Sequence, residues 1–92
     1  MSQINIDIVT PEGIKYQGQV VGVTVPGAAG RFQIFKNHAA LLAQLVAGEL
    51  ILIFDNRTEA MYINDGFLEV RQNQVNIMVE SAERGDKSDL NK

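Results

Sequence analysis

Histidine is the residue type suited to proton transfer near neutrality, and this 92-residue sequence holds one, His38, so any acid–base or nucleophilic chemistry would run through it. No acid lies within ten residues of it, and Glu49 is the nearest. A triad acid can come from elsewhere in a fold. A histidine at the end of a loop, exposed or at an interface, fits the sequence more simply. The absence of cysteine excludes a thiol nucleophile, a disulfide framework and any Cys-ligated metal or cluster. Glu49, Asp55, Glu59, Asp65, Glu69 and Glu80 are spread over strands and turns, with no paired-carboxylate or calcium-loop spacing. They read as solvated outer-face or turn residues. Gly27-x-x-Gly30 follows an extended segment and could in principle cradle a phosphate. It lacks the Gly-x-Gly-x-x-Gly and Lys-Ser/Thr elements, so a plain β-turn is the better reading. No catalytic, cofactor-binding or metal-ligating residue is assigned.

Composition narrows the class further. Apolar residues are 46% and charged residues 21%, the balance of a globular domain and not of a disordered chain. Eight bases against eleven acids give −3, too acidic for a module driven by phosphate contacts, so no nucleic-acid partner is expected. The uncharged stretch over residues 38–48 is 11 residues, short of the ~20 of a membrane helix, and no direct lipid insertion is expected. The first nine residues, MSQINIDIV, show no basic region followed by an apolar block. Charge is uneven: residues 1–48 carry two acids against three bases, and residues 49–92 carry nine against five. That asymmetry hints weakly at an interface.

The elements that would position these residues follow a period of two. Ile4, Ile6 and Ile8 alternate with Asn5, Asp7 and Val9, and Pro11-Glu12-Gly13 ends the strand. Val21, Val23 and Val25 alternate up to Pro26-Gly27, and residues 26–30 read as a tight exposed loop. Phe32 and Ile34 face one way. Residues 50–54 form a continuous branched-aliphatic and aromatic run, expected to be buried on both faces. Asn64-Asp65-Gly66 and Gln72-Asn73 are turn signals flanking Phe67, Leu68 and Val70, and Val75, Ile77 and Val79 alternate again. Phe54, Tyr62 and Phe67 occupy core-type positions. Turn signals at such short intervals argue for an all-β sandwich or barrel.

One segment obeys helical rules instead. In residues 37–48, Asn37 can cap, Leu41, Leu42, Leu45 and Val46 share a helical face, and Gly48 stands at a C-cap position. Local propensity predicts a helix there. The last twelve residues, SAERGDKSDLNK, read as a solvated tail. From the residues alone the chain is a small β domain without an evident active site, hence an interaction or structural module.

The order of the motifs is more specific than any one of them. Asp7-Ile8-Val9-Thr10-Pro11-Glu12-Gly13, Tyr16-x-Gly18-x-Val20, Val23-x-Val25-Pro26-Gly27 and Gly30-x-Phe32 come first. His38-Ala39-x-Leu41-Leu42-Ala43, Gly48-x-Leu50, Gly66-Phe67-Leu68-Glu69-Val70 and Asn73-x-Val75 follow. Over its first 82 residues the chain resembles the N-terminal domain of the ATP synthase epsilon family. The resemblance implies a flattened sandwich of two antiparallel sheets with roughly ten short strands over residues 1–82, and a charged tail over residues 83–92. It implies a non-catalytic rotor subunit of the central stalk that joins the gamma subunit to the c-ring and couples proton flow to ATP synthesis. Such a subunit is peripheral on the cytoplasmic face of the bacterial inner membrane or an equivalent membrane, and needs no cofactor. By resemblance the c-ring would meet Gly27, Ala28, Ala29, Gly30, Arg31 and Phe32. Gamma and the ring would meet Thr10, His38, Ala39, Ala40 and Ala43. The competing class is a free-standing protein- or carbohydrate-binding β-sandwich.

The chain departs from the family pattern in four places. Gln33-Ile34-Phe35-Lys36-Asn37-His38 lacks the usual Gly and Pro, and position 31, often acidic or polar in the family, is Arg31. Ala40 stands where Pro is usual. The resemblance makes the segment after His38 mainly extended, while the missing helix breaker leaves room for a helical turn over residues 37–41. Many members continue into a C-terminal helical hairpin, for which about ten residues after Ala82 are too few. A natural short form is the expectation.

Overall fold

The structure is a computed structural model that describes residues 3–84. Ten strands make up the described chain, with no helix among them: β1 (Ile4–Thr10), β2 (Gly13–Val20), β3 (Gly22–Gly27), β4 (Gly30–Phe35), β5 (Leu41–Leu45), β6 (Gly48–Ile53), β7 (Thr58–Ile63), β8 (Gly66–Arg71), β9 (Gln74–Val79) and β10 (Ala82–Arg84). β10 carries the pairing two residues past Ala82, and residues 85–92 of the expected tail lie outside the described residues. No helix long and apolar enough to cross a membrane occurs among the described residues.

The strands form one continuous sheet in the order β10-β7-β6-β3-β5-β8-β9-β1-β2, with β4 on β3. It folds over where β3 meets β5, a joint of one register pair, Gly27 opposite Leu45. Val46 N–H to Pro26 O (2.9 Å) and Ala28 N–H to Gln44 O (2.8 Å) hold that joint. The first half, β4-β3-β6-β7-β10, and the second, β5-β8-β9-β1-β2, thus become two layers. Alternate side chains of both enter one core: Ile4, Ile6, Ile8, Val23, Val25, Leu50, Leu52, Leu68, Val75 and Ile77 are all buried. The period of two read from the sequence is this inward alternation. β1 and β9 pair in parallel, unlike the other pairs. No hairpin joins them, so connection length leaves their direction free.

Four local expectations change. Residues 37–48 hold no helix. Asn37 sits at φ 68°, β5 pairs with β8 over Leu41–Leu45, and residues 38–40 are irregular. Propensity loses because an apolar run beside an open strand gains more from ladder bonds and burial than from an isolated helix. In β6 only Leu50 and Leu52 are fully buried; Ile51 and Ile53 are half-buried on the outer face. Phe67 is not a core residue but points outward, 54% exposed. Tyr62 and Phe54 are half-buried. Of the expected loop 26–30, Pro26 and Gly27 are buried ends of β3, and the exposed turn is residues 28–30.

Candidate functional site

The β3–β4 turn forms one end of the sandwich. Gly27 pairs with Gly30, and Gly30 adopts φ 130°, a conformation that residues with a Cβ rarely take. The turn therefore projects Ala28 and Ala29 as a small-residue lip. Beneath it residues 27–32, with Ala43 and Gln44 from β5, line an open, mainly apolar hollow of about 470 Å³. Arg31 is exposed at its rim, and one guanidinium nitrogen donates to the Glu49 carbonyl oxygen at 2.8 Å. The remaining guanidinium donors are available to an outside acceptor. The six residues of the first expected set are thus contiguous, and Ala43 from the second set joins them.

Thr10 is 6% exposed and works inside its turn: its hydroxyl accepts the Glu12 N–H at 3.1 Å and lies 3.4 Å from the Gly13 carbonyl. It fixes the β1–β2 turn beside a second hollow of about 310 Å³, whose walls include Gly66, Phe67 and Met78. His38, Ala39 and Ala40 lie at the opposite end. Residues 36–40 connect the far end of β4 to the start of β5, and Asn37 N–H donates to Asn73 Oδ1 at 2.7 Å in the β8–β9 turn. The length of β5, roughly 15 Å, separates them from the hollow. His38 Nδ1 lies 2.8 Å from the Ala39 carbonyl, which can only accept, so Nδ1 carries the proton in that contact. No cluster of three or more His, Asp or Glu suited to a metal ion occurs among the described residues.

Sequence reasoning missed a row on the outer face of the second layer. Phe67 stands opposite Met78, Met78 opposite Val9, and Val9 opposite Ile14. Ile14 is 60% and Met78 45% exposed. The parity of Phe67 was readable, since it alternates with the buried Leu68 and Val70. The row was not, because it depends on the register of four strands.

A polar cluster lies elsewhere. Glu59 takes Arg57 at 2.9 Å and Arg84 at 3.6 Å, and Arg57 also covers the Phe54 ring at 4.2 Å. Burial pushes the Tyr16 phenol above its ordinary 10.0, and the Glu59 charge adds to this, against opposing pulls from Arg57 and Arg84. The folded state then keeps a proton that the unfolded chain releases. The associated stability is complete below about pH 10 and falls as pH rises through the raised value. Tyr16→Phe should lose less stability between pH 9 and 11 than the parent chain, as read by urea denaturation. Identical pH slopes would contradict the assignment.

Comparison with known proteins places this geometry. The family described as ATP synthase, Delta/Epsilon chain, beta-sandwich domain, matches residues 3–85. The chain is 41% identical over 83 residues to an ATP synthase epsilon chain of a Nitratiruptor species, covering 89% of this chain and 64% of that one. It is 36% identical over 92 residues to the epsilon chain of Bacillus pumilus, covering 100% and 70%. The chain thus spans about two thirds of the length of these relatives. Among solved structures, a chain of the Euglena gracilis mitochondrial ATP synthase (OSCP/F1/c-ring in rotational state 1) superposes with a TM-score of 0.85 at 21% identity. That superposition covers 91% of this chain and 54% of that one. One from the central stalk/c-ring structure of Tetrahymena thermophila mitochondrial ATP synthase gives 0.72 at 20% identity, over 85% and 63%. These superpositions speak to the fold.

Proposed function

Because the chain belongs to the ATP synthase delta/epsilon β-sandwich family, we propose that it is a non-catalytic rotor subunit of the rotary ATP synthase, joining gamma to the c-ring. It couples proton flow to ATP synthesis from the cytoplasmic face of the bacterial inner membrane or its equivalent, held there through the complex. The observation that carries this reading is the family match over residues 3–85, which spans all ten strands of the sandwich. The work of such a subunit is mechanical: it holds two partners in fixed geometry, and a rigid sandwich with one core suits that task.

The c-ring meets the lip and hollow formed by Gly27, Ala28, Ala29, Gly30, Arg31 and Phe32. An apolar side chain of a ring loop fits the hollow, while the free donors of Arg31 take a carboxylate or carbonyl at its rim. Gamma meets the neighbouring side, near Thr10 and Ala43, and His38, Ala39 and Ala40 make a separate contact at the far end.

An exposed ion pair contributes about 0–1 kcal/mol, so reversing the charge of Arg31 should cost up to about 2 kcal/mol, at most about thirtyfold in ring affinity. Arg31→Glu should weaken binding to purified c-ring by up to that factor and reduce ATP-driven proton pumping in the reassembled enzyme. An opposite-charge change in the ring loop should restore both. An unaffected Arg31→Glu enzyme would remove Arg31 from the interface. Failure of the wild-type chain to co-purify with gamma and c subunits would overturn the rotor reading itself.

A further inference from the structure

We propose that the gap between the two ends of the sheet binds a phosphate group, held by Arg57, Arg84 and Tyr16. β2 and β10 end the strand order and share no ladder. The two layers therefore part between them, and β10 approaches β1 across the gap. The polar side chains there come from inward-facing positions of their strands. Tyr16 stands opposite the buried Ile8. Glu59 alternates with the buried Met61 and Ile63, and Arg84 stands opposite Met61. Their parity aims all three between the layers. Glu59 is the one acid among the described residues that pairs with two arginines, Arg57 Nε at 2.9 Å and a terminal nitrogen of Arg84 at 3.6 Å. The Phe54 ring lies against the Arg57 guanidinium at 4.2 Å. Carboxylate and ring together hold the plane of that guanidinium.

Donors remain after these contacts. Each guanidinium carries five N–H groups. Arg57 commits its Nε–H to Glu59, and its terminal N–H groups have no hydrogen-bond partner among the described residues. Arg84 directs one terminal nitrogen at Glu59 and has no other partner there. The Tyr16 hydroxyl is likewise without a hydrogen-bond partner among the described residues, and burial with the Glu59 charge keeps it protonated, hence a donor. Arg57 and Arg84 are 56% and 70% exposed, so a solute reaches them, while Glu59 is 28% exposed behind them. Two positive charges and one negative leave a local +1 in a chain of net charge −3. Shape selects the ligand. The donors come from three elements: β2, β10 and the turn before β7. A carboxylate presents two oxygens in one plane and suits a single guanidinium fork, whereas a tetrahedral phosphate presents oxygens in several directions. Bound in the gap, it ties β2 to the first layer. The site shares no residue with the lip, the hollow or the far-end contact, so it does not depend on the rotor reading.

The test is a titration of the purified chain with inorganic phosphate at constant ionic strength, followed by nuclear magnetic resonance of backbone amides and arginine Nε–H groups. Saturable shifts should centre on Arg57, Arg84 and Tyr16, with half-saturation at about 1–10 mM, as befits an exposed site of low net charge. Amide exchange along β2 should slow as phosphate is added. Arg57→Gln and Arg84→Gln should each raise the half-saturation about fivefold or more, and Tyr16→Phe a few-fold. Arg71→Gln removes an exposed arginine that pairs with Glu69 elsewhere and should change nothing. Glycerol phosphate, an esterified phosphate, is the second probe. If it binds as the free ion does, an esterified ligand is admitted; if only the free ion binds, that is the ligand, and either result supports the site. Acetate should shift these signals no more than chloride does. Equal saturation by acetate, shifts spread evenly over all cationic side chains, or wild-type half-saturation in both Arg57→Gln and Arg84→Gln would each overturn the proposal and leave the rotor reading standing.

Discussion

Gly66→Ala should destabilise the chain by about 3 kcal/mol or more. A Cβ at this position would collide with the Met78 carbonyl oxygen and come within 2.7 Å of the Val79 Cα. Both are backbone atoms of the paired strand, so no side chain can swing aside to relieve the overlap. The strands β8 and β9 would have to part at the end where Gly66 opposes Val79. A domain of this size has about 5–14 kcal/mol of total stability, and each kilocalorie shifts its midpoint by about 4–8 °C. The melting temperature should therefore fall by roughly 12–24 °C. Gly18→Ala is the internal control. Its nearest neighbour is the Tyr16 hydroxyl at 3.1 Å, the far end of a side chain that can yield, so its effect should stay within about 1 kcal/mol. Thermal denaturation followed by circular dichroism reads both, and equal midpoints for the two variants would refute the backbone-collision account.

Residues such as Gly66 separate what the sequence makes legible from what it hides. Ile4, Ile6 and Ile8, or Val75, Ile77 and Val79, declare strands and their buried face outright, because a half-buried strand allows few other patterns. Leu41 to Leu45 do not. LLAQL suits a helix face equally well, and what decides it is β8, some twenty residues away, whose open edge takes the segment in five register pairs. Gly48, plausible as a helix cap, instead starts β6 where a Cβ would approach Pro26 at 3.1 Å. The candidate site divides in the same manner. The lip residues 27–32 are contiguous in sequence, and motif order groups them, whereas Ala43 and Gln44 join the hollow only through the fold. The apolar row draws one residue from each of four strands, so it exists only once register is set. His38 and Thr10, neighbours in the reading of the motifs, stand at opposite ends of the sandwich because β4 and β5 run its length between them.

The joint between the two layers yields the other large effect. Leu45 is fully buried at the end of β5, opposite Gly27 on one side and Gly66 on the other. It is the residue at which the sheet passes from one layer to the next. Leu45→Ala removes three carbons, a transfer loss of about 2.4 kcal/mol at ~0.8 per methylene, and the cavity left behind brings the cost to about 3–4 kcal/mol. Leu52→Ala, equally buried in the middle of β6, should cost a similar amount, since the chemistry and burial match. The two variants should part in function. The void at Leu45 lies under Ala43 and Gln44 on one flank and the start of β8 on the other, so it loosens both the hollow and the Phe67 end of the row. Leu52 faces the core between β3 and β7 and touches neither surface. At a temperature where both variants remain folded, Leu45→Ala should bind gamma and the c-ring several-fold more weakly than Leu52→Ala. Equal binding at equal stability loss would show that the interfaces do not depend on the joint, and the partner surfaces would then have to be sought away from that end of the sandwich.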